Sequence, residues 1–193
     1  MPTYLEFEVS LIDIEPRIWR QFLLKATANF QNLHDAIQDA GPWDDYHLFR
    51  FETSAKRPKQ PEPIAQADCD GEADTQPEFG PPAKRTKLRD WFQREGDRCV
   101  YIYDFGDCWD HLVELKAVVE LPERFKRRLV GGQRAFPPED CGGIWGYERC
   151  LVAVGALKAD GFDETEIEET REWLGDWDPE AFDLEAAKKD FDC

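Results

Sequence analysis

The segment YIYDFGDCWDH, running from Tyr101 to His111, decides how this chain is read, together with its sequel PPEDCGGIWGY from Pro137 to Tyr147. Between turn-forming residues the two hold aromatic side chains, five carboxylates, a histidine and four glycines. Val100 to Phe105, rich in valine, isoleucine and tyrosine, reads as a strand. Gly106-Asp107 reads as its turn, and Trp109 to Leu121 alternates as the returning strand. Such a hairpin gathers Asp104, Asp107 and His111 at one end. The sequel has Pro-Pro and Gly-Gly and no period, so it reads as a loop. Trp145 and Tyr147 would pin it to a core, and a loop so held can carry a site.

Working outward, Thr3 to Ile12 alternates with Leu5, Phe7, Val9 and Leu11 on one face and Glu6, Glu8 and Ser10 on the other, a half-buried strand. Ile18 to Leu24 can pair back on it, with Arg20 near the turn. Phe30, Leu33, His34, Ile37 and Ala40 have helical spacing from about Asn29, and Gly41-Pro42 stops that helix. Tyr46 to Glu52 reads as a third strand with Trp43 and His47 at its entry, and Lys84 to Glu95 as a short helix. Between them, at about 53–83, proline and charge replace periodicity, which predicts a flexible insert. Its basic flanks KRPK and AKRTKLR read as solvated linker. Downstream, Tyr147 to Ala159, Glu164 to Gly175 and Pro179 to Phe191 read as helices, with Pro179 at the first position of the last. The fold class expected is α+β: a single mostly antiparallel sheet with helices on one face and an acidic C-terminal helical segment, all in one domain over 1–193.

Several of these stretches also carry a resemblance. YDFGD.W.H followed by PPED.GG..GY, with P.IWR at Pro16 to Arg20, LH..I at Leu33 to Ile37, W...HL..F at Trp43 to Phe51 and DPEAFDLE at Asp178 to Glu185, resembles the plasmid pRiA4b ORF-3-like family, also called the insertion-element passenger TnpR type. The resemblance spans nearly the whole chain. It implies a mobile-element setting and no defined activity, since the family is known mainly as proteins of unknown function. Where similar sequences carry a cysteine just before PPED, this chain has Phe136.

Composition narrows the function classes. With 193 residues, 41% hydrophobic and 13% aromatic, the chain can bury one good core. Its net charge is −17, and from Asp160 onward fourteen acidic residues stand against three basic ones. Such a field repels phosphate backbones, so direct duplex DNA binding through that face is not expected. The six cysteines form no CxxC pair, no secretory signal segment opens the chain, and no apolar run suits a membrane span. A cytoplasmic location with reduced thiols and no membrane contact is expected.

The chemistry-bearing residues leave alternatives open. A divalent metal would draw on Asp104, Asp107, His111, Glu139 and Asp140, keeping a position open for water. Alternatively, the two aspartates cap turns, His111 is a buried imidazole on the strand face of Trp109 and Val113, and Glu139 and Asp140 bond loop amides. Cys108 sits beside Asp107 and Trp109, the wrong setting for a reactive thiolate. Gly131-Gly132 and Gly142-Gly143 match no phosphate-binding fingerprint, and a glycine needed for positive φ is the simpler account. Serine occurs only at Ser10 and Ser54, without a recombinase arrangement of arginines.

These residues favour a non-enzymatic binding or accessory module for an unidentified protein or small molecule, with no cofactor. Its pocket would draw on Trp43, His47, Tyr103, Asp104, Asp107, Trp109, His111, Glu139, Asp140 and Tyr147, aromatic walls with a few convergent polar groups. Two alternatives stand beside it. One is a metal-dependent hydrolase using His111 with Asp104, Asp107, Glu139 and Asp140; the other is an acidic protein that competes with DNA for basic partners.

Overall fold

A computed structural model describes residues 1–53, 62–67 and 80–193. Seven strands form one sheet: β1 (Thr3–Leu11), β2 (Trp19–Lys25), β3 (Phe49–Thr53), β4 (Pro63–Gln66), β5 (Arg98–Tyr103), β6 (Trp109–Glu120) and β7 (Arg127–Gln133). Their order is β4-β3-β5-β6-β1-β2-β7, and every neighbouring pair is antiparallel. Five helices accompany them: α1 (Phe30–Ala40), α2 (Leu88–Trp91), α3 (Gly143–Ala153), α4 (Glu164–Leu174) and α5 (Leu184–Phe191). Among the described residues no helix is long and apolar enough to cross a membrane. The chain is an α+β protein.

The alternation in β1 works as expected: Leu5, Phe7, Val9 and Leu11 are buried in the core. On the opposite face Glu6 accepts from Gln21, and Glu8 pairs with Arg17. Ser10 departs from the pattern and is buried. Phe30 of α1 packs edge-on against Phe51, while Phe92, just after α2, meets Phe7 and Phe191 of α5 meets Phe22. Those helices therefore close one face of the sheet over a single aromatic core. Asn29 and Asn32 form a reciprocal capping box that starts α1, and Gly41 caps its end. α4 lies on α3 around a satellite cluster of Val152, Ala153 and Ile167.

Several boundaries differ from the sequence reading, each for a local reason. The hairpin between β5 and β6 turns through residues 104–108 rather than through Gly106-Asp107 alone. Pairing ends at Tyr103↔Trp109, and Asp104 and Cys108 both adopt positive φ. β3 starts at Phe49, not Tyr46, because its pairing ends at Phe49↔Tyr103, after which the partner strand turns away at Asp104 (φ 53°). The helix expected over Lys84 to Glu95 shortens to one turn, after which Asp97 bonds the amides of Gln93 and Arg94.

Two strands were not foreseen. β7 pairs with β2 from Trp19↔Gln133 to Leu24↔Arg127, so Gly131-Gly132 lies in strand and not at the positive φ expected of it. β4 pairs with β3 inside the stretch expected to be a flexible insert. Ala65 and Ala83 are fully buried there, and Ala83 N–H donates to the Gln66 carbonyl. The rest of that stretch, 54–61 with the KRPK flank and 68–79, lies outside the described residues.

The loop read from Pro137 to Tyr147 becomes helix at Gly143, four residues earlier than expected. Gly142 and Gly143, both at positive φ, turn the chain into α3, and Gly155 at φ 76° ends it. Pro179 does not open the last helix. Asp178 bonds the Glu180 amide in a turn, and Asp183 caps α5 by accepting from Glu185 and Ala186.

Candidate functional site

Three loops converge at one end of the sheet: the entry to β3, the β5–β6 turn and residues 137–142. Asp104 is held in a left-handed conformation (φ 53°), its amide donating to the Leu48 carbonyl at 3.1 Å and its Oδ1 accepting from Gly106 at 2.9 Å. This is an Asx-type turn, which aspartate tolerates at positive φ. Its other oxygen, Oδ2, lies 3.7 Å from His47 Nε2. Asp140, also left-handed at φ 58°, brings Oδ1 to 2.8 Å from the same nitrogen. His47, Asp104 and Asp140 thus present three ligand-type atoms within 4.8 Å of one another.

Glu139 fastens the loop beneath this triad. Tyr103 donates its hydroxyl to Glu139 Oε1, and Oε2 accepts the Asp44 amide at 2.6 Å. Desolvation first, and then the neighbouring Glu139 carboxylate, push the Tyr103 phenol upward, so the hydroxyl stays a donor. Trp43 stacks on Tyr103 with centroids 5.1 Å apart and donates Nε1–H to the Pro137 carbonyl at 2.9 Å. Asp107 Oδ2 accepts the Gly142 amide at 3.0 Å, tying the β5–β6 turn to the start of α3.

The ten residues expected to form one pocket therefore separate into two layers. His47, Asp104, Asp107, Glu139 and Asp140 do meet at the loop end, and all but Asp104, which is just buried, stay partly or fully open to solvent. Trp43, Tyr103, Trp109, His111 and Tyr147 are buried core residues. His111 is not a member of the metal-ligand cluster: strand alternation turns it inward with Trp109 and Val113. It is fully buried, with Nδ1 2.9 Å from the Trp109 carbonyl and Nε2 without a hydrogen-bond partner among the described residues. Desolvation lowers its pKa to about 4. The histidine that does reach the carboxylates is His47.

Three accessible aromatic side chains close to the triad in the chain were missed or misplaced. Tyr46 precedes His47, Phe105 follows Asp104, and Trp145 lies in the first turn of α3, whose Gly143 abuts the Asp107 carbonyl. They are 75%, 47% and 80% exposed. Trp145 was expected to pin a loop; instead its helix points it outward. The only sequence signal was position, each aromatic lying one to three residues from a carboxylate, histidine or glycine of the site.

A second histidine site lies deeper. His34 Nδ1 is 2.8 Å from Tyr101 Oη and Nε2 is 2.8 Å from Asp45 Oδ1, with the ring stacked on Phe49. Desolvation holds its pKa down to about 4 despite acidic neighbours, so His34 is a neutral structural linker between α1 and the sheet.

Comparison with known proteins agrees with the motifs. The chain is 33% identical, with a TM-score of 0.77, to a crystal structure of the protein of unknown function MM3350 from Methanosarcina mazei Go1, covering 96% of this chain and 98% of that one. It is 29% identical over 191 residues to uncharacterized protein y4hQ of Sinorhizobium fredii, covering 97% of this chain and 90% of the relative. The family model described as plasmid pRiA4b ORF-3-like protein matches residues 3–186, and the chain belongs to that family.

Proposed function

We propose that this chain is a non-enzymatic binding module that captures a cationic segment of a partner protein on the surface around Asp104, His47 and Asp140. The observation that carries this reading is the His47–Asp104–Asp140 cluster at the loop end, with exposed Tyr46 and Phe105 next to it in the chain and exposed Trp145 in the first turn of α3. Accessible aromatic faces beside carboxylates suit lysine and arginine side chains, through cation–π attraction and charge-assisted hydrogen bonds. Arg50, the nearby cation, is taken up by Glu52 at 3.1 Å and by the Phe105 ring. The plasmid in the family's name supports a mobile-element setting for such an accessory role.

The test is fluorescence anisotropy with a labelled arginine-rich peptide. Saturable binding that falls at least about tenfold in Trp145→Ala and in Asp104→Asn with Asp140→Asn supports the proposal. Equal binding by the folded variants refutes it. If binding instead falls on neutralising α4 with Glu164→Gln, Glu168→Gln and Glu169→Gln, the acidic helical segment is the partner surface. Removing the whole segment would be uninformative, because Phe191 belongs to the core.

A second reading has its own observation. One imidazole nitrogen and two carboxylate oxygens within 4.8 Å form a donor set that suits zinc or manganese with open positions for water. Here His47 takes the place expected for His111. One equivalent of metal by elemental analysis, lost in His47→Ala, would favour it over peptide capture and reopen metal-assisted hydrolysis.

A further inference from the structure

We infer that Arg20 floors a second binding site, a slot between β2, residues 135–139 and α5 that takes a small organic monocarboxylate with a flat apolar body. The slot has a volume of about 480 Å³, and Trp43, Phe136, Pro137, Trp177 and Phe182 give it largely apolar walls. That size and lining are usual for small-molecule sites.

Arg20 is only 3% exposed. Its Nε donates to the Ala40 carbonyl at 2.9 Å, and Nη1 donates to the carbonyls of Trp19 at 2.9 Å and Gln133 at 3.2 Å. Nη2 has no hydrogen-bond acceptor among the described residues, and Arg20 lines the slot. The guanidinium lies between two rings, 4.8 Å from Phe136 and 4.1 Å from Phe182. No carboxylate among the described residues forms an ion pair with it. Burial alone lowers its pKa to about 9. A buried cation without a counter-ion is costly, and carbonyl dipoles offset only part of that cost.

The clamp around Arg20 depends on two glycines. A Cβ on Gly132 would fall 2.6 Å from Phe182 Cζ and 2.7 Å from Arg20 Cδ, and one on Gly41 would fall 2.9 Å from Phe136 Cδ1. Side chains are absent where both rings close over the guanidinium.

The acids along the slot set its selectivity. Asp39 is paired with Arg127, Asp183 caps α5, Glu139 is bound by Tyr103 and the Asp44 amide, and Asp190 also lines the slot. Their charge disfavours phosphates and dicarboxylates, while a single carboxylate reaching Nη2 places one negative charge against one positive charge. The apolar walls then contribute in proportion to the ligand area they cover.

The experiment uses the whole chain in calorimetric and ligand-observed NMR titrations with benzoate, hexanoate and 2-naphthoate, each beside its primary amide. At least one carboxylate saturates, its amide binds about tenfold more weakly or worse, and Arg20→Gln removes the binding. Ala186→Trp, at an exposed position of α5 on the slot, also removes it without disturbing Arg20, which keeps the test valid if Arg20→Gln does not fold. Asp104→Asn leaves it unchanged. Carboxylate and amide binding alike, binding retained in Ala186→Trp or in folded Arg20→Gln, or no saturation by about 10 mM for all three acids overturns the inference.

Discussion

Replacing His111 with phenylalanine tests whether the histidine nearest the family motif holds the fold or does chemistry. Its ring is fully buried and packs on Phe136, Tyr101 and Trp43. Desolvation lowers its pKa from 6.5 to about 4. Because the folded value lies below the unfolded one, the neutral ring contributes stability that is fully present above about pH 6.5. On acidification the unfolded chain takes up the proton first, and the contribution shrinks until about pH 4. At about pH 5 the gap of about 1.5 units between the pH and the unfolded value corresponds to about 2 kcal/mol. His34 loses stability in the same window, and the carboxylates titrate there too, so a single curve does not isolate His111. Urea unfolding of wild type and His111→Phe at about pH 7.5 and about pH 5 does: wild type is expected to lose about 2 kcal/mol more than the variant. Near neutral pH the substitution itself is expected to cost about 1–3 kcal/mol, since it takes the partner from the Trp109 carbonyl, partly offset by removing an unpartnered buried nitrogen; that cost is common to both pH values and cancels in the comparison. A difference below about 0.5 kcal/mol between the two pH responses would refute the reasoning. It would mean that the native protein protonates His111 freely, and the site would have to be redrawn to include it.

Four further outcomes follow from the same contacts. Trp43→Ala removes the ring that joins Tyr103 to the Pro137 carbonyl and is expected to cost about 3–5 kcal/mol in urea unfolding, against about 1–3 kcal/mol for Trp43→Phe, which loses the hydrogen bond and part of the ring but keeps an aromatic stack. Gly143→Ala places a Cβ 2.6 Å from the Asp107 carbonyl oxygen at φ 67°, so a loss of about 1–3 kcal/mol should accompany weaker peptide capture, measured by anisotropy. Asp183→Ala strips the cap of α5 and should lower stability by about 1 kcal/mol in the same unfolding assay. His47→Ala, at a partly exposed ring, is expected to change stability by no more than about 0.5 kcal/mol while weakening peptide or metal binding, the reverse of His111→Phe.

Much of the fold was legible because it rests on periodicity. The alternation of β1, the hydrophobic spacing of α1 between Asn29 and Gly41, and the long returning strand from Trp109 are signals carried by neighbouring residues. β7 was hidden because its register is set by a distant partner: Arg127, Arg128 and two glycines have little strand propensity. Arg127 is held by Phe191 and Asp39, and Arg128 lies over Phe125. β4 was hidden for a related reason. Pro63–Gln66 carries a proline and sits among polar runs, and only pairing with β3 at the sheet edge makes it a strand. Pro179 misled because a proline at a helix start is a local preference, while the side chain that caps the helix is Asp183.

The site was legible as a place but not as a set of contacts. Motif proximity placed Asp104, Asp107, Glu139 and Asp140 together, and they lie at one end of the sheet, since a turn and a loop of those compositions both belong at the surface. It could not select the histidine. His111 lies two positions from Trp109 on a strand whose period of two sends both into the core, opposite Tyr101 and Tyr103. His47 precedes β3, where no period constrains it, and its ring meets carboxylates contributed by two other loops. Those carboxylates reach it because Asp104 and Asp140 both adopt positive φ, a conformation that aspartate tolerates but does not announce. Arg20 shows the same limit from the other side. Its place on β2 near the opening turn was readable, whereas its packing against Phe136 and Phe182, beside Gly41 and Gly132, arises only when the closed sheet and α5 bring them together. In this chain the strands determine which polar side chains are spent on the core, and the loop ends determine which remain free to meet a ligand.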